Sequence, residues 1–528
     1  MTRTKWYKDG VFYQIWPRSF KDGNGDGMGD LYGVLEKLDY VKSLGVDGIW
    51  FNPLYPSPGV DCGYDIADYM DIAEEFGGME TFKKVLDEAH KRDLKVIMDL
   101  VVNHTSDEHE WFQKSRRRID PYTDYYIWTD KPNNWDSLFE GDSAWQWDDV
   151  RKQYYLHLFA IKQPDLNMDN PLVRQEVVKL LKFWLDMGVD GFREDVITFI
   201  SKKEGLPNDY IFPVSKGILN YNYGPHFEEY MQQFKREAFD GHDYVIISET
   251  ALTGPKKALK YTKDNDSNVI DMMIQFECMG ADCLITDFYP LPFSLKKLKK
   301  AFSSWQNKVN GKGWNLLYIE NHDHSRVVSR YGSEKYRVES AKMLCAAYMF
   351  QQGTPFVYMG QELGMTNWYP DSMSLYEDVQ TRNAHLKLPE KLRLKISYRA
   401  SRDSARTPMP WTNGKNAGFT TAEEPWFYIN PNYTEINVES QEQDPDSVLN
   451  FYRKAIRLKK EMERDAPYKE LYKSSQKIFA HERGDKYTVV CSFTEKPVEF
   501  SCSGEIVLSN YKDNGDLLKP YECRVYKK

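Results

Sequence analysis

The chain has 528 residues, a net charge of −9 and a pI near 5.7. That length implies two or three domains around a large core, and the acidic balance argues against nucleic acid and against a basic membrane patch. No apolar run approaches the roughly 20 residues of a membrane span. Met1 to Gly10 is too polar for a secretory leader, and the 7 cysteines form no CxxC pair, so free thiols in a cytoplasmic protein are expected.

In chain order, Val11 to Pro17 has strand character and Leu31 to Leu44 has helical spacing of apolar residues. Gly45 to Pro53 is a second strand, Met79 to His90 a second helix, and Lys95 to Val102 (KVIMDLVV) a nearly continuous apolar strand that ends at Asn103-His104. Apolar strands alternating with helices predict a parallel sheet covered on both faces. From Thr105 to about Pro171 the pattern breaks into Trp, Tyr, Asp and Asn with little periodicity, which predicts an inserted domain. The helix Val173 to Met187 restores the pattern. The stretch Gly188 to Val196 (GVDGFREDV) then reads as a short buried strand that ends in charge. Further strands run from Tyr244 to Ser248 before Glu249, from Val269 to Phe276 before Glu277, from Leu316 to Ile319 before Glu320-Asn321-His322-Asp323, and from Thr354 to Met359. Eight strands with interleaved helices predict an α/β protein with a (β/α)8 TIM barrel. Beyond Tyr468, short alternating segments such as Tyr487 to Phe493 and Val498 to Val507 predict a C-terminal antiparallel β domain. The expected division is residues 1–104 and 172–467 for the barrel, 105–171 for the domain inserted after the third strand, and 468–528 for a sandwich-like third domain.

In such a barrel the active face lies at the C-terminal strand ends, which here carry His104, Arg193, Asp195, Glu249, His322 and Asp323. Two carboxyls that flank a glycosidic bond can cleave it, one as a proton donor and the other as a nucleophile or base. Arg193 favours an ionised Asp195, which makes Asp195 the nucleophile. Glu249 follows the apolar run Val245-Ile246-Ile247, where desolvation raises a carboxyl into the range of a general acid. Asp323 is left to bind hydroxyls and to stabilise an oxocarbenium-like state. The two histidines can hydrogen-bond sugar hydroxyls, and the 15% aromatic content suits stacking on sugar rings.

Six ordered motifs carry a resemblance over nearly the whole chain. They are Asp99 to His104 (DLVVNH), Gln163 to Asn167 (QPDLN), Gly191 to Asp195 (GFRED), the strand ending at Glu249, Asn321-His322-Asp323, and Ser401 to Trp411 (SRDSARTPMPW). The chain resembles the α-amylase superfamily, glycoside hydrolase family thirteen, in its oligo-1,6-glucosidase and α-glucosidase branch. The resemblance implies a retaining double displacement, with Asp195 forming the glucosyl enzyme and Glu249 acting as acid and then base. It places Asp61, Tyr64, His104, Phe159, Gln163, Arg193, His322 and Arg402 around the terminal glucose, with Tyr64 stacked on the ring. It further implies a pocket closed at the non-reducing end, hence exo-action on isomaltose and short isomalto-oligosaccharides. Val196, after the nucleophile, matches the residue that goes with α-1,6 over α-1,4 linkages.

The chain departs from the pattern at Glu194, at Ser248 and at Glu320 and His324. Glu194 should point away from the pocket and needs a partner there, because a buried unpaired charge is expensive. Glu320 and His324 are expected to alter the subsite beyond the terminal glucose.

Asp22, Asn24, Asp26 and Asp30 put oxygen donors at alternate positions of a Gly-rich turn, which suits one structural Ca²⁺, with Mg²⁺ as the other hard cation that fits. The resemblance adds the backbone carbonyl of Met28. The expected partner is a small oligosaccharide, with no nucleic acid, no membrane and a monomeric chain. Alternatives are an α-glucosidase for sucrose or α-1,4 links, a sucrose isomerase or transglucosylase, a trehalose-6-phosphate hydrolase, and a non-catalytic binding relative.

Overall fold

The computed structural model of the protein describes residues 3–139, 141–211, 215–265 and 268–528. Strands β1 (Phe12–Ile15), β2 (Gly48–Phe51) and β3 (Lys95–Leu100) open the chain. They are followed by a small antiparallel sheet of β4 (Trp128–Thr129), β5 (Trp145–Asp148) and β6 (Gln153–Leu156), in the order β4-β6-β5. The main sheet resumes with β7 (Gly191–Glu194), β8 (Val245–Thr250), β9 (Met272–Gln275), β10 (Leu316–Leu317) and β11 (Thr354–Tyr358). Its order is β10-β11-β1-β2-β3-β7-β8-β9 with every pairing parallel. The end strands β9 and β10 lie against each other at the seam. This is the expected eight-stranded barrel, nearly closed.

Local chemistry explains each part. In β3 all residues beyond Lys95 are buried, as required of a parallel strand with helices outside and packed side chains inside. The helix Pro171–Met187 starts where Asn170 accepts from the Leu172 amide and Pro171 takes the first position, a site that needs no backbone donor. It stops at Gly188, whose φ of 109° is left-handed and favours glycine. Gly191 lets β7 close on β8, because a Cβ there would lie 2.3 Å from the Val245 carbonyl oxygen.

The remaining strands are β12 (Tyr468–Leu471), β13 (Ile478–Arg483), β14 (Tyr487–Ser492), β15 (Val498–Glu499), β16 (Glu505–Ser509), β17 (Leu517–Leu518) and β18 (Cys523–Lys527). They form a five-stranded antiparallel sheet, β12-β13-β14-β18-β16, and the pair β15-β17. The predicted segment Val498 to Val507 is two strands in different sheets, because the chain turns at Gly504, with φ 126°. Pro17 does not close a strand but opens the short helix Pro17–Phe20. All seven cysteines are unpaired, and no helix among the described residues is long and apolar enough to cross a membrane.

Candidate active site

One arginine organises the C-terminal mouth of the barrel. Arg193 on β7 is 1% exposed. One of its nitrogens donates to Asp195 Oδ1 at 2.7 Å and lies 3.4 Å from Asp99 Oδ1, while the other donates to Glu249. Three buried acids therefore share one cation. Burial raises Asp195 to about 7 against the pull of Arg193, and it raises Glu249 further, to about 8. A hydrogen bond between the two carboxyls lowers Asp195 and raises Glu249, so Glu249 holds the proton. Unequal shifts within a pair of this kind separate an acid from a base. Glu249 lies within β8 rather than beyond it, since the strand runs on to Thr250.

Asp323 is more open than Asp195 and Glu249, with 23% of its side chain exposed. Burial alone would raise it, but His322, Arg402 and Arg406 draw it below the ordinary carboxylate range. His322 lies stacked between Trp16 and Tyr64, with each ring centroid 5.5 Å away. The Gln14 amide nitrogen lies 2.8 Å from His322 Nδ1 and also donates to Asn52 Oδ1. As a donor it requires Nδ1 to accept, so the ring proton sits on Nε2, 3.0 Å from Asp323 Oδ2. Tyr64 accepts from Asn52 and donates to Asp99 Oδ2 at 2.8 Å. One face of Tyr64 is thus occupied by His322.

The inserted segment closes another side. Gln163 Nε2 lies 3.3 Å from Asp61 Oδ2 and 3.2 Å from His104 Nε2. Phe159 packs on His104, with the ring centroids 5.1 Å apart. Burial lowers His104 to about 4, so it is a neutral ring, and burial raises Asp61 to about 6. Arg402 reaches Asp61 at 3.3 Å and Asp323 at 3.4 Å, but its tightest partner is Asp378 at 2.6 Å. Asp195, Glu249, Asp323, Asp61, Tyr64, His104, Phe159, Gln163, Arg193, His322 and Arg402 therefore form one connected neighbourhood.

Val196 joins them in a different conformation from that expected. It is not a strand residue, because β7 ends at Glu194 and Val196 has φ 35° and ψ 34°. A β-branched side chain in the left-handed region costs on the order of 1–3 kcal/mol. It is half-buried against the aromatic cluster that includes Phe159 and Phe199.

Sequence reasoning missed Asp99 as an acid facing Arg193, although it is the one charge that interrupts the apolar run Val96 to Val102, and it missed Asp378 and Arg406. Asp378 caps the helix Val379–Asn383 while it holds Arg402, a double duty that no local pattern marks. Glu320 is corrected. It forms a buried ion pair with Arg326 at 2.7 Å and accepts from the Val327 amide, so it braces the loop rather than lining a subsite. His324 is tied to Asp287 at 2.6 Å. Glu194 points away from Arg193 and accepts from the Ser248 hydroxyl.

The five loop residues lie apart from this pocket. Asp22 accepts from the amides of Gly25 and Gly27, Asp26 accepts from Met28, and Asp30 caps the helix Leu31–Ser43 through Gly33. Asn24 accepts from Asp26. Gly27, at φ 102°, packs so closely that a Cβ would meet the Glu424 carbonyl at 2.6 Å. The side-chain donors are all oxygen and keep lone pairs beyond these bonds, which is the chemistry of a hard cation. Among the described residues, the group of three acid or thiol ligand atoms within 4.8 Å of one another is instead Asp282, Cys283 and Asp287. Arg330 already pairs with both of those acids, at 2.6 and 3.0 Å.

Comparison with known proteins agrees with this geometry. A family model described as the alpha amylase catalytic domain matches residues 14–465. The oligo-1,6-glucosidase of Parageobacillus thermoglucosidasius is 46% identical over 558 aligned residues, covering 99% of each chain. Among solved structures, the trehalose-6-phosphate hydrolase of Bacillus licheniformis is 41% identical, with a TM-score of 0.93 and 99% of each chain covered. The trehalulose synthase of Pseudomonas mesoacidophila MX-45 is 36% identical, with a TM-score of 0.94 and 100% of each chain covered.

Proposed function

The chain belongs to the α-amylase family of glycoside hydrolases, and from that premise we infer that it is an exo-acting, retaining α-glucosidase. It removes terminal α-1,6-linked glucose from isomaltose and short isomalto-oligosaccharides. The observation that carries this reading is the shared Arg193 with the proton on Glu249 and the anion on Asp195. Glu249 donates its proton to the leaving oxygen as Asp195 attacks the anomeric carbon. Glu249 then takes a proton from water as the glucosyl ester is hydrolysed. Asp323, kept ionised by its neighbours, stabilises the positive charge that develops on the sugar in the transition state of each step. Asp61, His104, Gln163, His322 and Arg402 hold the hydroxyls of the terminal glucose, and Tyr64 packs on its ring.

Val196 supports the linkage. A branched apolar side chain directly after the nucleophile, packed against the cluster of Phe159 and Phe199, is read as shaping the leaving-group side. Phosphate-bearing substrates fit less well, because Arg193 and Arg402 are engaged by carboxylates and a phosphate needs donors of its own. One structural Ca²⁺ is proposed at Asp22, Asn24, Asp26, Asp30 and the Met28 carbonyl, away from the chemistry.

The test is initial-rate glucose release from isomaltose and from maltose, measured side by side. Isomaltose is expected to be faster, and Val196→Thr is expected to shift the ratio toward maltose by roughly 10-fold, the scale of one altered pocket contact. A wild-type preference for maltose would overturn the linkage while leaving the glucosidase assignment in place.

A further inference from the structure

Directly behind the two reacting carboxyls is a second pair of residues that the reaction does not use. Glu194 precedes Asp195, and Ser248 precedes Glu249. The two face each other in register across β7 and β8, and both are fully buried. The Ser248 hydroxyl is hydrogen-bonded to Glu194 Oε2, while Glu194 Oε1 has no partner. Among the described residues no lysine, arginine or histidine pairs with Glu194. The charged group that acts on it is Asp271, of like sign, and the titratable Tyr244 is also near it. Asp271 is itself held by Arg3 at 2.6 Å, so that arginine is already engaged.

A carboxylate in this place would be a buried anion without a counter-ion. Burial accordingly raises Glu194 to about 8. The neutral acid suits the site, because it can share a hydrogen bond with a hydroxyl and needs no cation. The bond also has a geometric consequence. Side chains alternate along a strand, so the outward link between Glu194 and Ser248 fixes the two strands just where the inward-facing Arg193, Asp195 and Glu249 meet.

We propose that Glu194 and Ser248 are positioning residues for this reaction: the hydrogen bond between them locks β7 to β8 and so sets the placement of Asp195 relative to Glu249. The proposal rests on the assignment of Asp195 and Glu249 above. It adds that Glu194 is neutral in the folded enzyme, because the site offers its second oxygen no partner and the carboxyl no counter-ion. At alkaline pH Glu194 becomes a buried anion behind Asp195, facing Asp271 and no cation, and the fold around the lock is destabilised.

The sign of the stability effect follows. Glu194 in the unfolded chain loses its proton in the ordinary carboxylate range, whereas the folded chain keeps it to about pH 8. The folded state therefore binds more protons over that interval, and stability falls as pH rises through it.

The experiment compares Glu194→Gln, Glu194→Leu, Ser248→Ala and the Glu194→Leu/Ser248→Ala double variant with the wild type, on whichever α-glucoside the wild type turns over. Glu194→Gln keeps an acceptor for the Ser248 hydroxyl and cannot ionise. It is expected to hold kcat within about threefold of the wild type at pH 6, and its Tm advantage should widen between pH 5 and pH 9. Glu194→Leu breaks the lock. It is expected to lower kcat by 10-fold, up to the order of 10²-fold, with KM nearly unchanged. Ser248→Ala should add little in the Glu194→Leu background, the mark of a shared interaction. A Glu194→Leu enzyme that loses Tm but keeps the wild-type kcat would show a merely structural role and overturn the proposal. So would a Tm gap between Glu194→Gln and wild type that does not change with pH. The Tm measurements need no substrate, so they stand even if isomaltose proves the wrong glucoside.

Discussion

The pocket and the Asp22–Asp30 loop are both built on aspartates, and they treat them in opposite ways. In the loop every carboxylate is met by backbone amides that a Gly-rich turn turns inward. Each acid is satisfied by amides where it stands, although burial still raises Asp30 above the ordinary carboxylate range. In the pocket Asp99, Asp195 and Glu249 compete for Arg193, and burial pushes all three upward. The same chemical group is a structural cap in one place and a poised reagent in the other. What separates them is the number of donors per acid and the access of water, not the residue type.

The comparison breaks most visibly at Asp195. Asp195→Asn is expected to reduce kcat on the order of 10⁴-fold, the scale seen when a member of a catalytic unit is removed, as measured by glucose release at saturating substrate. The variant is also expected to be at least as stable as the wild type at pH 7. A carboxyl whose proton is held to about 7 in the folded state costs stability as pH rises from its ordinary range to that value, and asparagine removes the cost.

Glu249 tests the electrostatics rather than the presence of the acids. Wild-type kcat/KM should rise as Asp195 loses its proton near pH 7 and fall as Glu249 loses its own near pH 8, with both limbs belonging to the coupled pair. Glu249→Gln should cost about 10²–10⁴-fold and abolish the alkaline limb. A pH–rate profile that kept its alkaline limb in this variant would contradict the assignment of the proton.

The smallest effects are expected in the loop. A chelator should lower Tm and leave kcat at moderate temperature unchanged. Asp30→Ala removes a helix N-cap worth ~1 kcal/mol and should lower Tm by a few degrees with activity retained. Thermal scans with and without added Ca²⁺ check both, and an unchanged Tm in chelator would count against the metal.

Much of this was legible in the chain. The eight apolar runs read as strands because burial on both faces leaves no room for polar residues until the strand ends, and Asp195, Glu249 and Asp323 stand at or near those ends. Val196 was misread as a strand residue, since nothing in its neighbours announces a φ of 35°. Glu194 and Ser248 were legible only as two separate oddities.

The sequence by itself determined the barrel, the C-terminal β domain and the acids at the active face, because apolar periodicity and polar strand ends are local properties of consecutive residues. Tertiary structure alone decided that Arg193 serves three acids, that Arg402 bridges Asp61, Asp323 and Asp378, and that Glu194 finds its partner in Ser248. Those contacts join residues between two and 341 positions apart. Their strength depends on burial and on which donors are already taken, and neither is settled until the sheet has closed.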